Sequence, residues 1–133
     1  MDIRRFLSAV VALFVFMFGY ETWIHAVLLK DIYHQTPSIW RSYEQMIQYT
    51  PFNTLLMGLT AFWLTFIFTR LFKDGGSKNG LRFGVYIGVL SGLQAAGAYF
   101  YLPISGLLAC YWFIAYLLES ILGGYLIGLI YKR

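Results

Sequence analysis

The 133-residue sequence predicts an all-α membrane protein: a bundle of four transmembrane helices with a short amphipathic interfacial helix between spans one and two. Three observations predict it. Hydrophobic residues make up 59% of the chain and charged residues 12%, against about a quarter charged in soluble proteins. Four apolar runs each approach or exceed the roughly 20 residues needed to cross a hydrocarbon core of about 30 Å. Most charges stand beside the ends of those runs, where the membrane surface explains them. Little chain remains for a soluble domain, so residues 1–133 read as one transmembrane domain.

Span one is Phe6 to Leu29, about 36 Å of helix at 1.5 Å per residue, enough to cross with some tilt. Its MDIRRFL lead has the outline of a signal sequence, but the run is long and lacks a small-residue cleavage site, so it should remain as an anchor. Arg4-Arg5 lacks the fuller twin-arginine context. After Lys30-Asp31 comes an outer segment, residues 30–50, in which Thr36-Pro37 is a helix-start signal. Ile39, Trp40, Tyr43, Met46 and Ile47 recur there at helical spacing, while Arg41, Glu44 and Gln45 fall elsewhere. This describes a helix lying in the interface, with Trp40 and Tyr43 as interfacial residues, or a cap packed on the bundle.

Thr50-Pro51 repeats the start signal and opens span two, Pro51 to Leu71, closed by Arg70 and Lys73. KDGGSKNG then reads as a flexible turn. A phosphate-cradling loop would need a preceding strand and the Walker spacing, which this stretch lacks. Span three, Phe83 to Tyr101, carries Gly84, Gly88, Gly92 and Ala96 at every fourth position. Span four, Gly106 to Tyr131, carries Ser120, Gly124 and Gly128. Helices in lipid associate through close backbone approach, so both stripes are packing surfaces. Joined by the tight turn YLPISG, they should face each other, with a homodimer as the competing use.

Basic residues set the orientation. Arg4, Arg5, Arg70, Lys73, Lys78, Arg82, Lys132 and Arg133 fall on one side, Lys30 and Arg41 on the other. The positive-inside rule then places both termini and the 73–82 region in the cytoplasm and residues 30–50 outside, in a multi-pass protein of the cell inner membrane. Because the membrane accounts for most of the basic residues, the net charge of +4 calls for no nucleic-acid partner. The single cysteine, Cys110, excludes an intramolecular disulfide.

Depth along each span gathers polar residues into a layer: Glu119 near the midplane, Thr60 about 2 Å outward, Gln94 about 3 Å and Glu21 about 5 Å. His25 and Asn53 form a second level about 11 to 12 Å outward. A spacing of four puts Glu21 and His25 on one helix face. A charge at the bilayer centre costs at least about 2.5 to 3.5 kcal/mol, so both glutamates should face the bundle interior. Their roles are structural, locking helices through hydrogen bonds, or ionic, handling a proton or cation. Zinc normally asks for three protein ligands, and Glu21 with His25 supplies two; a third would have to come from Glu119 or His34. No metal, cofactor or catalytic constellation is expected, since no Ser-His-Asp, HExxH or CxxC pattern occurs.

The passages GYETWIHAVLLKDIY with TPSIWR, and RFGVYIGVLSGL with YLPISG and a glutamate before GGYLIG, resemble the small uncharacterised four-span membrane proteins of bacteria. The resemblance implies the span layout and no activity or site residues. The expected function is that of a non-catalytic accessory or assembly subunit of a larger membrane complex, with the lipid bilayer and other membrane subunits or a second copy as partners. The alternative is a small oligomeric proton-coupled or cation carrier using Glu21, Glu119 and His25. An enzyme acting on an apolar substrate ranks third.

Overall fold

The computed structural model describes residues 2–132. It is helical, with no strand among the described residues beyond one isolated bridge between Gly75 and Lys132. Helix α1 (Ile3–Trp23) passes into a π-helical turn (Ile24–Leu28), followed by the short α2 (Lys30–His34) and a 3-10 turn (Pro37–Ile39). Then come α3 (Tyr43–Leu71), α4 (Ser77–Gly97) with a closing 3-10 turn (Ala98–Phe100), and α5 (Gly106–Ile130). Ile3–Leu28, Tyr43–Leu71, Ser77–Phe100 and Gly106–Ile130 are long and apolar enough to cross a membrane.

Two boundaries differ from the sequence reading, each for a local reason. The outer segment contains no separate amphipathic helix over residues 37–47. Pro37–Ile39 form only a 3-10 turn, and a new helix begins at Ser42, whose hydroxyl accepts from Gln45 N–H while the Gln45 side chain accepts from Ser42 N–H. This reciprocal capping box satisfies two otherwise orphaned donors. It starts α3 well before Thr50-Pro51, and Pro51 becomes an interior residue of a 29-residue helix. Proline is tolerated inside long apolar helices because nearby Thr side chains and neighbours re-satisfy freed backbone groups. Here the Thr50 and Thr54 hydroxyls donate to the carbonyls of Met46 and Thr50, on either side of the Ile47 carbonyl that Pro51 leaves without its N–H.

The second difference is the 73–80 turn. It is shorter than expected, because Ser77 already belongs to α4 and Asn79 Nδ2 donates to the carbonyl of Gly75. Gly75 and Gly76 take positive φ angles of 64° and 88°, and a Cβ on Gly75 would overlap the Tyr131 carbonyl. Gly76 N–H donates to that same carbonyl at 3.1 Å. Arg5 Nη1 donates to the Lys132 carbonyl, so the start of α1, the α3–α4 turn and the chain's last described residue meet at one end. Arg133, one of the basic residues that set the orientation, lies outside the described residues.

Across the bundle the order is α3, α1, α5, α4. The closest pairing is α4 with α5: a Cβ on Gly84 would overlap the Ser120 carbonyl, and one on Gly124 the Gly80 carbonyl. Gly88 lies against Leu117, Gly92 against Phe113, and Gly128 against Gly76 and Ser77. The two small-residue stripes thus occupy each other, and Gly80 extends the first. α1 packs between α3 and α5 through Phe6, Ala9 and Leu13, joined by Ala61, Phe68 and Ile127. At the turn end Phe68 and Phe83 bring α3 to α4, with ring centroids 5.6 Å apart. A second cluster closes the opposite end, where Ile24, Leu29, Ile104 and Leu108 pack beneath Tyr33, Trp40 and Trp112.

Candidate functional site

The polar residues converge where α1 meets α5. Glu119 is 6% exposed, near the middle of α5. Its carboxyl lies against that of Glu21 on α1, close enough to share a hydrogen bond. Glu21 Oε2 in turn stands 2.9 Å from His25 Nε2, one helical turn along. The hydroxyl of Tyr20 donates to the Ala115 carbonyl at 2.9 Å and fixes α1 to α5 beside the pair. Tyr20 and Tyr116 also lie within the electrostatic reach of both carboxyls.

From His25 the chain of polar contacts continues outward. The other ring nitrogen, Nδ1, lies 2.5 Å from the Tyr33 hydroxyl, and Trp112 Nε1 donates to the same oxygen at 2.9 Å. Indole N–H is a donor only, so Tyr33 oxygen must accept from Trp112. With neutral imidazole donating from Nε2 to the Glu21 carboxylate, Nδ1 is the acceptor and Tyr33 O–H its donor. Burial pushes the Tyr33 hydroxyl pKa above its ordinary value, and the Trp112 bond partly offsets this. Tyr33 stacks on His25 with centroids 5.8 Å apart and meets Trp40 edge-on at 5.2 Å.

The π-helical turn puts these groups in place. Leu29 N–H reaches back five residues to the Ile24 carbonyl at 2.9 Å, which widens the helix around His25 and starts α2 in a new direction. Such wide turns recur at functional sites. α2 then carries Tyr33 back over His25.

Thr60 and Gln94, which depth alone places with the glutamates, are exposed on the outside of the bundle. Thr60 hydroxyl is spent on the Leu56 carbonyl of its own helix. Asn53 is exposed as well and does not join His25. The four-helix layer therefore reduces to a two-helix seam, with α1 supplying Glu21, the π-helical turn that continues it supplying His25, and α5 supplying Glu119. Trp40 is half-buried in the aromatic cluster, its Nε1 donating to Thr36, whereas Tyr43 is 74% exposed. Tyr33, Trp112, Tyr20 and Tyr116 complete the seam, and sequence reasoning had no place for them in it. The available signal was their amphipathic side chains near Glu21 and Glu119 in sequence.

Two buried side-chain atoms, Thr65 Oγ1 and Glu119 Oε1, have no hydrogen-bond partner among the described residues. A cavity of about 30 Å³ adjoins Glu119 and Ser120, walled by Leu13, Leu64, Phe83 and Ile87. Among the described residues no group of three or more His, Cys, Asp or Glu side chains is arranged to hold a metal ion. No protein-family model, curated protein or solved structure matches the chain.

Proposed function

We propose that the chain is an integral protein of the cell inner membrane, crossing four times with both termini in the cytoplasm, that takes up protons or cations at the Glu21–Glu119 pair. The observation that carries this reading is the unbroken line of polar contacts from Tyr33 through His25 and Glu21 to Glu119. A structural lock needs the carboxyls satisfied and nothing more. A line of titratable groups running from an end of the bundle to its middle instead connects a buried acid to a boundary. Intramembrane acids cost free energy and are retained where ions pass or bind. The gathering of Arg4, Arg5, Lys73, Lys78 and Lys132 around the end where the α3–α4 turn meets Lys132 supports the orientation.

The accessory-subunit reading draws on a different region. Residues 41–53, the first part of α3 and the two residues before it, are all exposed, with Tyr43, Met46, Ile47 and Phe52 among them. A larger membrane partner would cover that face.

Reconstitution into vesicles containing a pH-sensitive dye tests the carrier reading. Acid- or cation-dependent flux should appear with the wild type and vanish in Glu119→Gln. A stoichiometric larger partner recovered from native membrane in mild detergent, with no flux, would favour the accessory subunit. For topology, with Cys110 replaced by serine, a cysteine at Ser42 should react with an impermeant reagent from outside and one at Asp74 from the cytoplasm.

A further inference from the structure

We infer that the species taken up at this pair is a proton rather than a metal cation, and that it arrives from the outer boundary through Tyr33 and His25. This narrows the carrier reading above and rests on it.

The pair itself asks for a proton. Two ionised carboxylates can only accept, so neither satisfies the other, and Glu119 Oε1 is then a buried acceptor without a partner. One proton shared by the carboxyls turns their contact into a hydrogen bond, with one group donating and the other accepting. A metal cation would ask for much more. Hard divalent cations take six or more oxygen ligands, whereas the space beside Glu119 offers Ser120 as its other polar wall and is otherwise apolar. At about 30 Å³ it has room for one or two waters, not for a coordination shell.

With the neutral His25 tautomer that donates from Nε2, the hydrogen bonds also run in one direction. Trp112 donates to Tyr33, and in that tautomer Tyr33 donates to His25 Nδ1 and His25 Nε2 to Glu21, so each donor points inward toward the carboxyl pair. Tyr33 is half-buried on α2, which follows the apolar stretch Ile3–Leu28. A hydronium there gives a proton to the Tyr33 oxygen, Tyr33 releases its own to Nδ1, and Nε2 releases its own to Glu21 Oε2. The sum is one hydronium plus a carboxyl pair holding one proton, converted to one water plus a pair holding two. The pair's charge goes from −1 to zero and nothing is oxidised. Of the groups facing the pair, Tyr20 comes from α1, His25 from the π-helical turn after it and Tyr116 from α5, while α3 and α4 present Leu64, Phe83 and Ile87, which do not titrate.

The test is infrared difference spectroscopy of the full chain in detergent, titrated with acid in sodium, magnesium or an inert organic cation. The expected result is a protonated-carboxyl band that grows with acid, is unchanged by the cation present and is lost in Glu119→Gln. If that variant does not fold, Glu21→Gln examines the same pair. A band displaced by sodium or magnesium would overturn the proton assignment and leave an ionic site standing. Absence of any titrating carboxyl band would overturn the carrier reading with it. In Tyr33→Phe the band should follow a pH jump roughly tenfold more slowly, the effect of one lost hydrogen bond on a barrier, and an unchanged rate would remove Tyr33 from the route.

Discussion

Helix α5 has two faces that solve opposite problems. Toward α4 it presents Ser120, Gly124 and Gly128, and the two backbones approach until no side chain fits between them. Toward α1 and α2 it presents Trp112, Tyr116 and Glu119, whose polar atoms must find partners. The first face gains from dispersion and close packing, which tolerate no change of volume. On the second face the gain comes from hydrogen bonds whose protons can be rearranged without moving the helices. A small bundle can thus keep a titratable site because an adjacent face of the same helix is fixed by shape alone.

Substituting the glycine face should give the largest effect. Gly124→Leu puts a branched side chain where even a Cβ would overlap the Gly80 carbonyl, and should cost at least about 3 kcal/mol in unfolding from detergent. Gly19→Leu, at a position with open space around it, is the control. Stability equal to wild type in Gly124→Leu would mean that the α4–α5 contact is not as close as described.

Next comes the polar face. Glu21→Gln and Glu119→Gln should be coupled, the double variant departing from the sum of the singles by about 1 to 3 kcal/mol in a double-mutant cycle. Strict additivity would dissolve the seam into two independent residues. A smaller change is expected for Trp112→Phe, which removes the indole N–H from the Tyr33 hydroxyl and should cost about 1 kcal/mol, read as a lowered melting temperature. Smallest of all, Thr60→Val and Gln94→Leu should fall within about 0.5 kcal/mol of wild type, since both residues stand on the outside of the bundle. A large loss from either would restore the four-helix layer.

Much of this was legible in the sequence, and the failures have a common cause. The apolar runs read out the four long helices because length and composition are one-dimensional properties. The stripe at Gly84, Gly88 and Gly92 was legible because a period of four is a property of the helix itself. Glu21 and His25 could be paired for the same reason. Thr60 and Gln94 were misplaced because depth along an axis carries no information about rotation around it. The start of α3 was missed although its signal was present: Ser42 and Gln45 form a capping box, and Thr50-Pro51 drew the reading away from it. Tyr33 and Trp112 lie 79 positions apart in the chain, and no local pattern joins them.

The wide turn at Ile24–Leu28 has a consequence for how this chain tolerates changes in length. It holds one more residue than a regular helical turn would. Deleting a single residue between His25 and Leu29 would remove that excess: the bond from Leu29 N–H to the Ile24 carbonyl would become an ordinary helical bond, and the downstream segment would keep its facing. An inserted residue, or a second deletion, finds no excess to absorb it and rotates the downstream segment by about 100° around the axis. Tyr33 would then swing away from His25 and Trp112. The segment is the register key of the molecule, set by residue count more than by residue identity except at His25, and a single deletion there should be forgiven where an insertion is not.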